Sequence, residues 1–271
     1  MFRKPLRVLK KLYQETRELL SPHPLFRTID KIKLSKIKRD KDKKGFVFIK
    51  PKGFSHNIKI RRNYIDKEVI HYVLQDQYHL PPKISKITNS PIILDLGSNI
   101  GLTIAHMKHI YPNAQIIGYE MNRENFLLAK RNTKFYDKVI IYNKAVWTED
   151  TTVIYKNSLG YDAYAIINNE DTQDIKQEIE RVQSISIASI IKNHKLEIID
   201  YLKMDIEGAE EAILLAEDLS WMNKVRAMNI EMHLYDIKEI DRYINIIKNK
   251  GFNAWKDDKH WSSIFAVRKD I

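Results

Sequence analysis

The sequence predicts a doubly wound α/β fold, a mostly parallel sheet closed by a C-terminal antiparallel hairpin, and three observations lead there. From residue 91 onward, short apolar runs alternate five times with amphipathic stretches, the texture of buried parallel strands and their crossover helices. The first run, Ile92–Leu96, passes through Gly97, Ser98, Asn99 and Gly101 straight into a helical pattern at Leu102. A turn of that kind gathers backbone N–H groups and the positive end of a helix dipole at one point, which suits a nucleotide-like ligand. Near the C-terminus, FNAWK and WSSIFAVR alternate in character about DDKH and read as a hairpin.

Taken in order, residues 5–20 place Leu6, Leu9, Leu12, Tyr13, Leu19 and Leu20 at near-helical spacing among Lys4, Arg7, Lys10, Lys11 and Arg17. The pattern is a short amphipathic helix whose basic face is solvated, or meets an anionic membrane surface, or meets nucleic acid. Residues 31–44 read as a charged linker. Residues 45–85 form an extension: two alternating runs about Pro51–Lys52–Gly53 make a hairpin, and Asp66 caps a helix bearing Val69, Ile70, Val73, Leu74 and Tyr78, ended by Pro81–Pro82.

The main domain, 86–271, continues with a helix at Leu102–Ile110 and a strand at Gln115–Tyr119. Asn122 caps a helix through Arg131, and a strand follows at 138–142. An irregular insert, 151–195, contains an alternating stretch at 152–155 and a polar helix near 173–181. A strand at 198–204, a helix at 209–219 and a strand at 225–230 complete the alternation. Asp236 and Glu239 make a capping box for a helix carrying Ile237, Ile240, Ile244 and Ile247, stopped by Gly251.

The net charge of +11 is uneven: residues 1–44 carry 15 Lys and Arg against 5 Asp and Glu, and the remainder carries 31 against 30. Basicity therefore belongs to the N-terminal arm, and no basic groove through the fold is implied. The absence of cysteine excludes disulfides, thiolate zinc sites and a cysteine nucleophile. No apolar run approaches the roughly 18–20 residues that cross a bilayer. The opening MFRKPLRVLKKLYQ has no apolar core of a secretory signal, so a cytoplasmic chain is expected, with residues 5–20 as its route to a membrane surface.

In a doubly wound sheet, ligands bind beyond the carboxyl ends of the strands. Those ends carry Asp95 to Gly101, Glu120, Asn143 and Ala145, Asp205 and Glu207, and Glu231 and His233. Glu120 follows the glycine turn at the offset where an acid reaches the ribose hydroxyls of an adenosine. A nicotinamide dinucleotide wants GxGxxG, but the run here is Gly97-Ser98-Asn99-Ile100-Gly101, with Asn99 able to take a left-handed backbone. Asp95 would repel a pyrophosphate and suit an ammonium group. S-adenosyl-L-methionine supplies that ammonium, carries adenosine and has no phosphate. No Gly-Lys-Ser/Thr follows, which excludes a P-loop.

The ordered set DLGSNIG, the YE ending the second strand, NKAVW, KMDIEGAE and NIEMH resembles the FkbM-type S-adenosylmethionine-dependent methyltransferases, from about Ile58 to Val267. The resemblance implies a class I methyltransferase fold with a Rossmann-like sheet. It implies that Asp95, Gly97, Asn99 and Gly101, with Ser98 between them, meet the methionine part of the cofactor. Glu120 would hold the ribose, Asn143 to Ala145 would lie near the adenine, and Asp205 to Glu207 with Glu231 to His233 would border the transfer site. The chain departs from the family at Glu120-Met121-Asn122, at Asp162-Ala163 and at Ile187-Ala188-Ser189, and because the last two lie where the acceptor pocket would be shaped, acceptor contacts do not carry over.

The expected reaction is O-methylation of a hydroxyl on a sugar, glycan or small metabolite. His233 is the first choice of proton acceptor, Asp205 the second, and Glu231 an orienting group. The other reading is RNA methylation through the basic arm. No metal is expected, and His106 with His109 reads as a solvated pair lacking a third ligand at metal spacing.

Overall fold

The register of the central strands explains the architecture. Along Ile93–Leu94, Ile116–Ile117, Tyr201–Leu202 and Ala227–Met228, successive buried side chains enter different cores, so the sheet is covered on both faces. The computed structural model describes residues 25–37, 45–62, 64–157, 164–167, 179–258 and 260–270, and the helix expected at 5–20 lies outside them. The chain divides into two units, Met1–Gln75 and Asp76–Ile271.

The smaller unit contains α1 (Thr28–Ser35), the antiparallel pair β1 (Phe46–Ile49) and β2 (Ile58–Arg61), and α2 (Tyr64–Ile70), which runs on as a π-helical turn, His71–Asp76. The hairpin appears where alternation placed it. The charged linker does not begin at residue 31, because α1 occupies 31–35. Two buried anchors hold that helix: Leu34, and Asp30, whose carboxylate accepts from Arg27 Nε at 2.7 Å and Lys50 N at 3.0 Å. Asp66 is not a cap but lies inside α2, where it accepts from the Arg61 backbone at 2.7 Å and guanidinium at 2.8 Å. The helical run stops at Asp76, ahead of Pro81–Pro82, because Gln77 takes a left-handed φ of 57°.

The larger unit begins ten residues before the expected boundary at 86. Tyr201 Oη donates to His79 O at 2.7 Å and Asn229 Nδ2 to Tyr78 O at 2.5 Å, which fastens this segment to two central strands. The elements then follow as β3 (Ile92–Leu96), α3 (Leu102–Ile110), β4 (Gln115–Tyr119), α4 (Arg123–Thr133) and β5 (Val139–Tyr142). The insert supplies β6 (Ala145–Val146), β7 (Thr152–Asn157), β8 (Tyr164–Ile167) and β9 (Ile179–Ile185). After it come α5 (Ile187–Asn193), β10 (Ile199–Met204), α6 (Glu210–Leu214), β11 (Val225–Glu231), α7 (Ile240–Asn249), β12 (Phe252–Lys256) and β13 (Ser263–Arg268).

The main sheet has the order β12-β13-β11-β10-β3-β4-β5, with β13 antiparallel to both neighbours and the other pairings parallel. The switch point lies between β3 and β10, where the chain leaves toward β4 and returns after the insert. The insert forms a second sheet, β6-β9-β7-β8. Residues 179–181, expected as the end of a polar helix, are the first residues of β9; the rest of that expected helix lies outside the described residues. Ile187-Ala188-Ser189 opens α5 under a Ser186 cap. The helix expected at 209–219 is only α6, because the chain tightens into a 3₁₀ turn at Ser220–Lys224 that buries Trp221 and Met222. Asp236 does cap, but over a 3₁₀ turn at Ile237–Glu239 rather than α7 itself. Among the described residues no helix is long and apolar enough to cross a membrane.

Candidate active site

Three left-handed residues shape the turn after β3: Gly97 at φ 84°, Asn99 at 46° and Gly101 at 77°. Gly97 lies so close to the end of β10 that a Cβ would stand 1.7 Å from Asp205 O. A Cβ on Gly101 would stand 2.9 Å from Ala129 Cα in α4. The N–H groups of this turn are largely used by the protein itself. Gly97 N and Ser98 N donate to Tyr119 O at 3.0 and 2.9 Å, Gly101 N donates to Ser98 O, and Asn99 N donates to Glu120 Oε2 at 2.7 Å. A turn so committed is a poor phosphate cradle, which agrees with the choice of a phosphate-free cofactor.

Glu120 is held at both oxygens, Oε1 accepting from Asn122 N at 2.8 Å, so each oxygen keeps a lone pair for a ligand hydroxyl. It lines a cleft that also meets Gly97, Asn99, Ala145, Asp205 and Glu207. Four other expected cofactor residues stand behind this wall. Ser98 is buried and its hydroxyl donates to Asp95 O. Gly101 packs on α4, and the Asn143 amide donates to Glu120 O and Met121 O at 2.9 and 2.8 Å, tying the ends of β4 and β5 together. Lys144 and Ala145, not the Asn143 side chain, face the cleft. Asp95 is buried with neither oxygen accepting a hydrogen bond. Burial pushes it up to about 6 against the pull of Lys203.

Lys203 escaped the sequence reading, although a lysine within the apolar run of β10 was the signal for it. Its ammonium donates to Gly97 O at 2.9 Å and Asp205 Oδ2 at 3.0 Å, joining the glycine turn to the acidic strand end. Burial works against its charge, but Asp205 and Asp95 hold it up at about 12. Asp205 in turn is lowered: burial opposes its charge, and Lys203 and His233 outweigh burial.

Beyond Asp205 lies the second half of the site. The tight turn Glu207–Gly208, with φ of 57° and 101°, leads into α6, whose buried Glu210 accepts from Ile206 N at 2.7 Å and Gly208 N at 2.9 Å. Glu210 Oε1 also lies 3.1 Å from His233 Nδ1. The group that orients His233 is therefore Glu210, whereas Glu231 was expected there. The other ring nitrogen, Nε2, faces Glu207 at 3.4 Å, Asp205 at 3.8 Å and Glu231 at 3.9 Å. Burial opposes charge on His233, but Glu210 and its neighbours raise it to about 10. Burial, with Asp205 adding to it, pushes Glu207 and Glu231 up.

Tyr78 and His260 close this end. Their rings stack at 5.2 Å, Tyr78 Oη donates to Asp205 Oδ2 at 3.4 Å, and His260 Nε2 lies 3.6 Å from Glu231. Nothing in the local sequence marks these two residues, since the main-chain fastening of Tyr78 brings them in. His106 and His109 are not a solvated pair: His106 is buried, its Nδ1 lies 3.1 Å from His79 Nε2, and only His109 reaches solvent.

A mostly parallel sheet with a committed glycine turn, a buried carboxylate at the end of β4 and an acidic basin across the switch point is the arrangement of a class I methyltransferase. The chain matches the Methyltransferase FkbM domain over residues 95–254 and belongs to that family, with S-adenosylmethionine as methyl donor. It is similar to Methyltransferase sdnD of Sordaria araneosa, 25% identical over 78% of this chain and 92% of that one. It is also similar to Methyltransferase 1 of Beauveria bassiana, 22% identical over 75% of this chain and 86% of that one. Among solved structures, the fibrillarin pre-rRNA processing protein of Methanococcus jannaschii aligns with a TM-score of 0.43 at 12% identity, covering 84% of each chain.

Glu120 gives the cleft a pH dependence. Burial raises this carboxyl to about 7 from an ordinary 4.5, and the two backbone N–H bonds hold it back. Because the folded protein binds that proton more tightly than the unfolded chain, the contribution to stability is full below 4.5 and is lost as pH rises through about 7. Ligand hydroxyls donate to the ionised form, so affinity runs the other way. S-adenosylhomocysteine is expected to bind several-fold tighter at pH 8 than at pH 6, with the difference absent in Glu120→Gln. Calorimetry at the two values checks this, and a flat profile in the parent protein would remove Glu120 from the ribose.

Proposed function

We propose that the enzyme methylates a hydroxyl of a sugar, glycan or small metabolite. The observation that carries this reading is the chemistry of the far end of the cleft. Asp205 and Glu207, which line it, and Glu231 beside them around His233 present carboxylate acceptors, suited to an acceptor that brings hydroxyl groups. In this reading Glu120 holds the ribose, Ala145 lies beside the adenine, and the glycine turn at Gly97 and Asn99 meets the methionine part, with buried Asp95 behind it paired to Lys203.

Methyl transfer is an in-line displacement at the sulfonium carbon, so the protein must place the acceptor oxygen about 3–3.5 Å from the methyl group and exclude water; such orientation supplies roughly 7–11 kcal/mol. As the carbon–oxygen bond forms and the carbon–sulfur bond breaks, the hydroxyl proton passes to the acidic basin. The products are the methyl ether, S-adenosylhomocysteine and a proton. Incubating the protein with deuteriomethyl cofactor and separate metabolite, glycan and RNA fractions tests the reading by mass spectrometry. Label on a hydroxylated metabolite or glycan is the expected result, and label confined to RNA overturns it. Glu120→Ala is expected to weaken cofactor binding about 10-fold or more, the loss of hydrogen bonds to a charged group, and by more than it weakens folding, where Asn99 N and Asn122 N lose their acceptor. Equal cofactor affinity would move the ribose elsewhere.

A further inference from the structure

The donor atoms at the acceptor end converge in a way that sugar recognition alone does not require. One carboxylate oxygen each from Asp205 and Glu231 and one ring nitrogen of His233 all lie within 4.8 Å of one another. From His233 Nε2 the distances are 3.8 Å to Asp205 Oδ1 and 3.9 Å to Glu231 Oε1. Ligands about 2.0–2.2 Å from one ion stand roughly 3–4 Å apart, so this spacing needs little change to close on a cation. We propose that Asp205, Glu231 and His233 form a divalent-cation site at the acceptor end of the cleft.

The groups around the trio prepare it. Glu210 is buried and spends its two oxygens on Ile206 N, Gly208 N and His233 Nδ1. With the carboxylate accepting from Nδ1–H, the neutral ring presents its lone pair at Nε2, the nitrogen that faces Asp205 and Glu231. A carboxylate behind a histidine is the arrangement that fixes tautomer and ring direction at metal sites. A second observation, outside the trio, points the same way. Asp95 is buried, accepts no hydrogen bond, and stands in register with Lys203 on the neighbouring strand, so both side chains leave the same face of the sheet. The single charge of Lys203 is therefore shared among Asp95, Asp205 and, more weakly, Glu231, and Glu207 and Glu210 make no ion pair with a lysine or arginine among the described residues. Mixed carboxylate and imidazole donors select a first-row divalent ion such as Mn²⁺, Fe²⁺, Co²⁺ or Zn²⁺ over Ca²⁺, and three protein ligands leave positions open.

The site deepens the proposed function and rests on it for the acceptor's part. An acceptor hydroxyl occupying an open position becomes more acidic beside the ion. Its proton goes to Glu207, whose Oε2 lies 3.4 Å from His233 Nε2, and its oxygen takes the methyl group from sulfur. His233 is then a ligand rather than the base.

The test uses the full chain stripped with a chelator, with Mn²⁺ alone as the probe, read by electron paramagnetic resonance of free ion and by calorimetry. One site per chain is expected. Glu231→Gln and His233→Asn are each expected to weaken Mn²⁺ binding about 10-fold or more, while S-adenosylhomocysteine affinity stays within a few-fold of the parent, which shows the fold intact. No stoichiometric uptake at millimolar Mn²⁺, or uptake that survives the double substitution, overturns the site. Cofactor binding without Mn²⁺ binding leaves the methyltransferase reading standing and removes only the cation. Mn²⁺ binding with no transfer to any hydroxylated fraction keeps the cation and removes the acceptor reading.

Discussion

Gly97→Ala is expected to lose both cofactor binding and a large part of the folding free energy. The residue sits at φ 84°, and an added Cβ would stand 1.7 Å from Asp205 O and 2.8 Å from Asp205 C, both backbone atoms. A left-handed alanine costs about 1–2 kcal/mol, and forcing backbone apart in a packed region adds about 1–3 kcal/mol. No rotamer relieves the contact, because β3 and β10 are hydrogen-bonded neighbours up to Asp205 N and Leu96 O at 3.0 Å. The strand ends must separate, and with them Asp205 leaves its place opposite Gly97. Urea unfolding should show a drop of about 2–5 kcal/mol, and calorimetry should show no S-adenosylhomocysteine binding where the parent saturates. An alanine variant that melts and binds like the parent would mean that the turn does not meet β10 as described. Gly208→Ala is a useful companion: its φ of 101° also disfavours alanine, but nothing lies within 4 Å of an added Cβ, so a smaller loss separates backbone strain from collision.

Lys203→Met is expected to be the second most damaging change. The ammonium is 4% exposed and supports Asp205 Oδ2, Gly97 O and the unbonded Asp95 beside it. Removing one partner of a buried ion pair costs about 3–5 kcal/mol, since a charge is left without compensation. The loss has a definite pH dependence. Asp95 is raised to about 6 even with Lys203 present; without the lysine it rises further above its unfolded value, and Asp205 loses the main pull that holds it below its own. A carboxyl raised on folding stabilises by taking its proton, so the variant is expected to recover stability as pH falls below about 6 and to be weakest above neutrality. Chemical denaturation at pH 5 and pH 8 checks the sign. A deficit that is equal at the two values would show that Lys203 acts by packing alone. Pairing the substitution with Asp95→Asn should recover part of the loss, because the two residues share the same uncompensated charge.

Much of the fold was legible because its parallel strands are buried on both faces and so appear as plain apolar runs. Ile92–Leu96 and Gln115–Tyr119 have in the structure the ends the pattern implied, and the hairpin of β12 and β13 stands where alternation placed it. Elements shaped by tertiary contacts were less legible. The helix over residues 31–35 looked like a charged linker because its anchor, Asp30, is a buried carboxylate whose partners include a backbone N–H 20 residues away. The shortening of α6 and the strand at residues 179–181 likewise follow from packing and pairing that local propensity does not carry.

The site divides in the same manner. Gly97, Asn99, Glu120, Ala145 and Asp205 could be chosen from the sequence and do line the cleft, because strand ends converge by topology once the strands are known. By itself the sequence determined the fold class, the family motifs and the part of the cleft around the glycine turn and Glu120, since those depend on periodicity and on glycines at backbone positions. Only the tertiary structure decided the rest. It placed Lys203 between the glycine turn and Asp205, set Glu210 rather than Glu231 behind His233, brought Tyr78 and His260 to the acidic end of the site, and turned the Asn143 side chain away to bind Glu120 O and Met121 O. The physical reason is that a hydrogen bond or ion pair depends on where side chains end. Residues such as Tyr78 and Asp205, 127 positions apart, are joined by the sheet rather than by any local pattern.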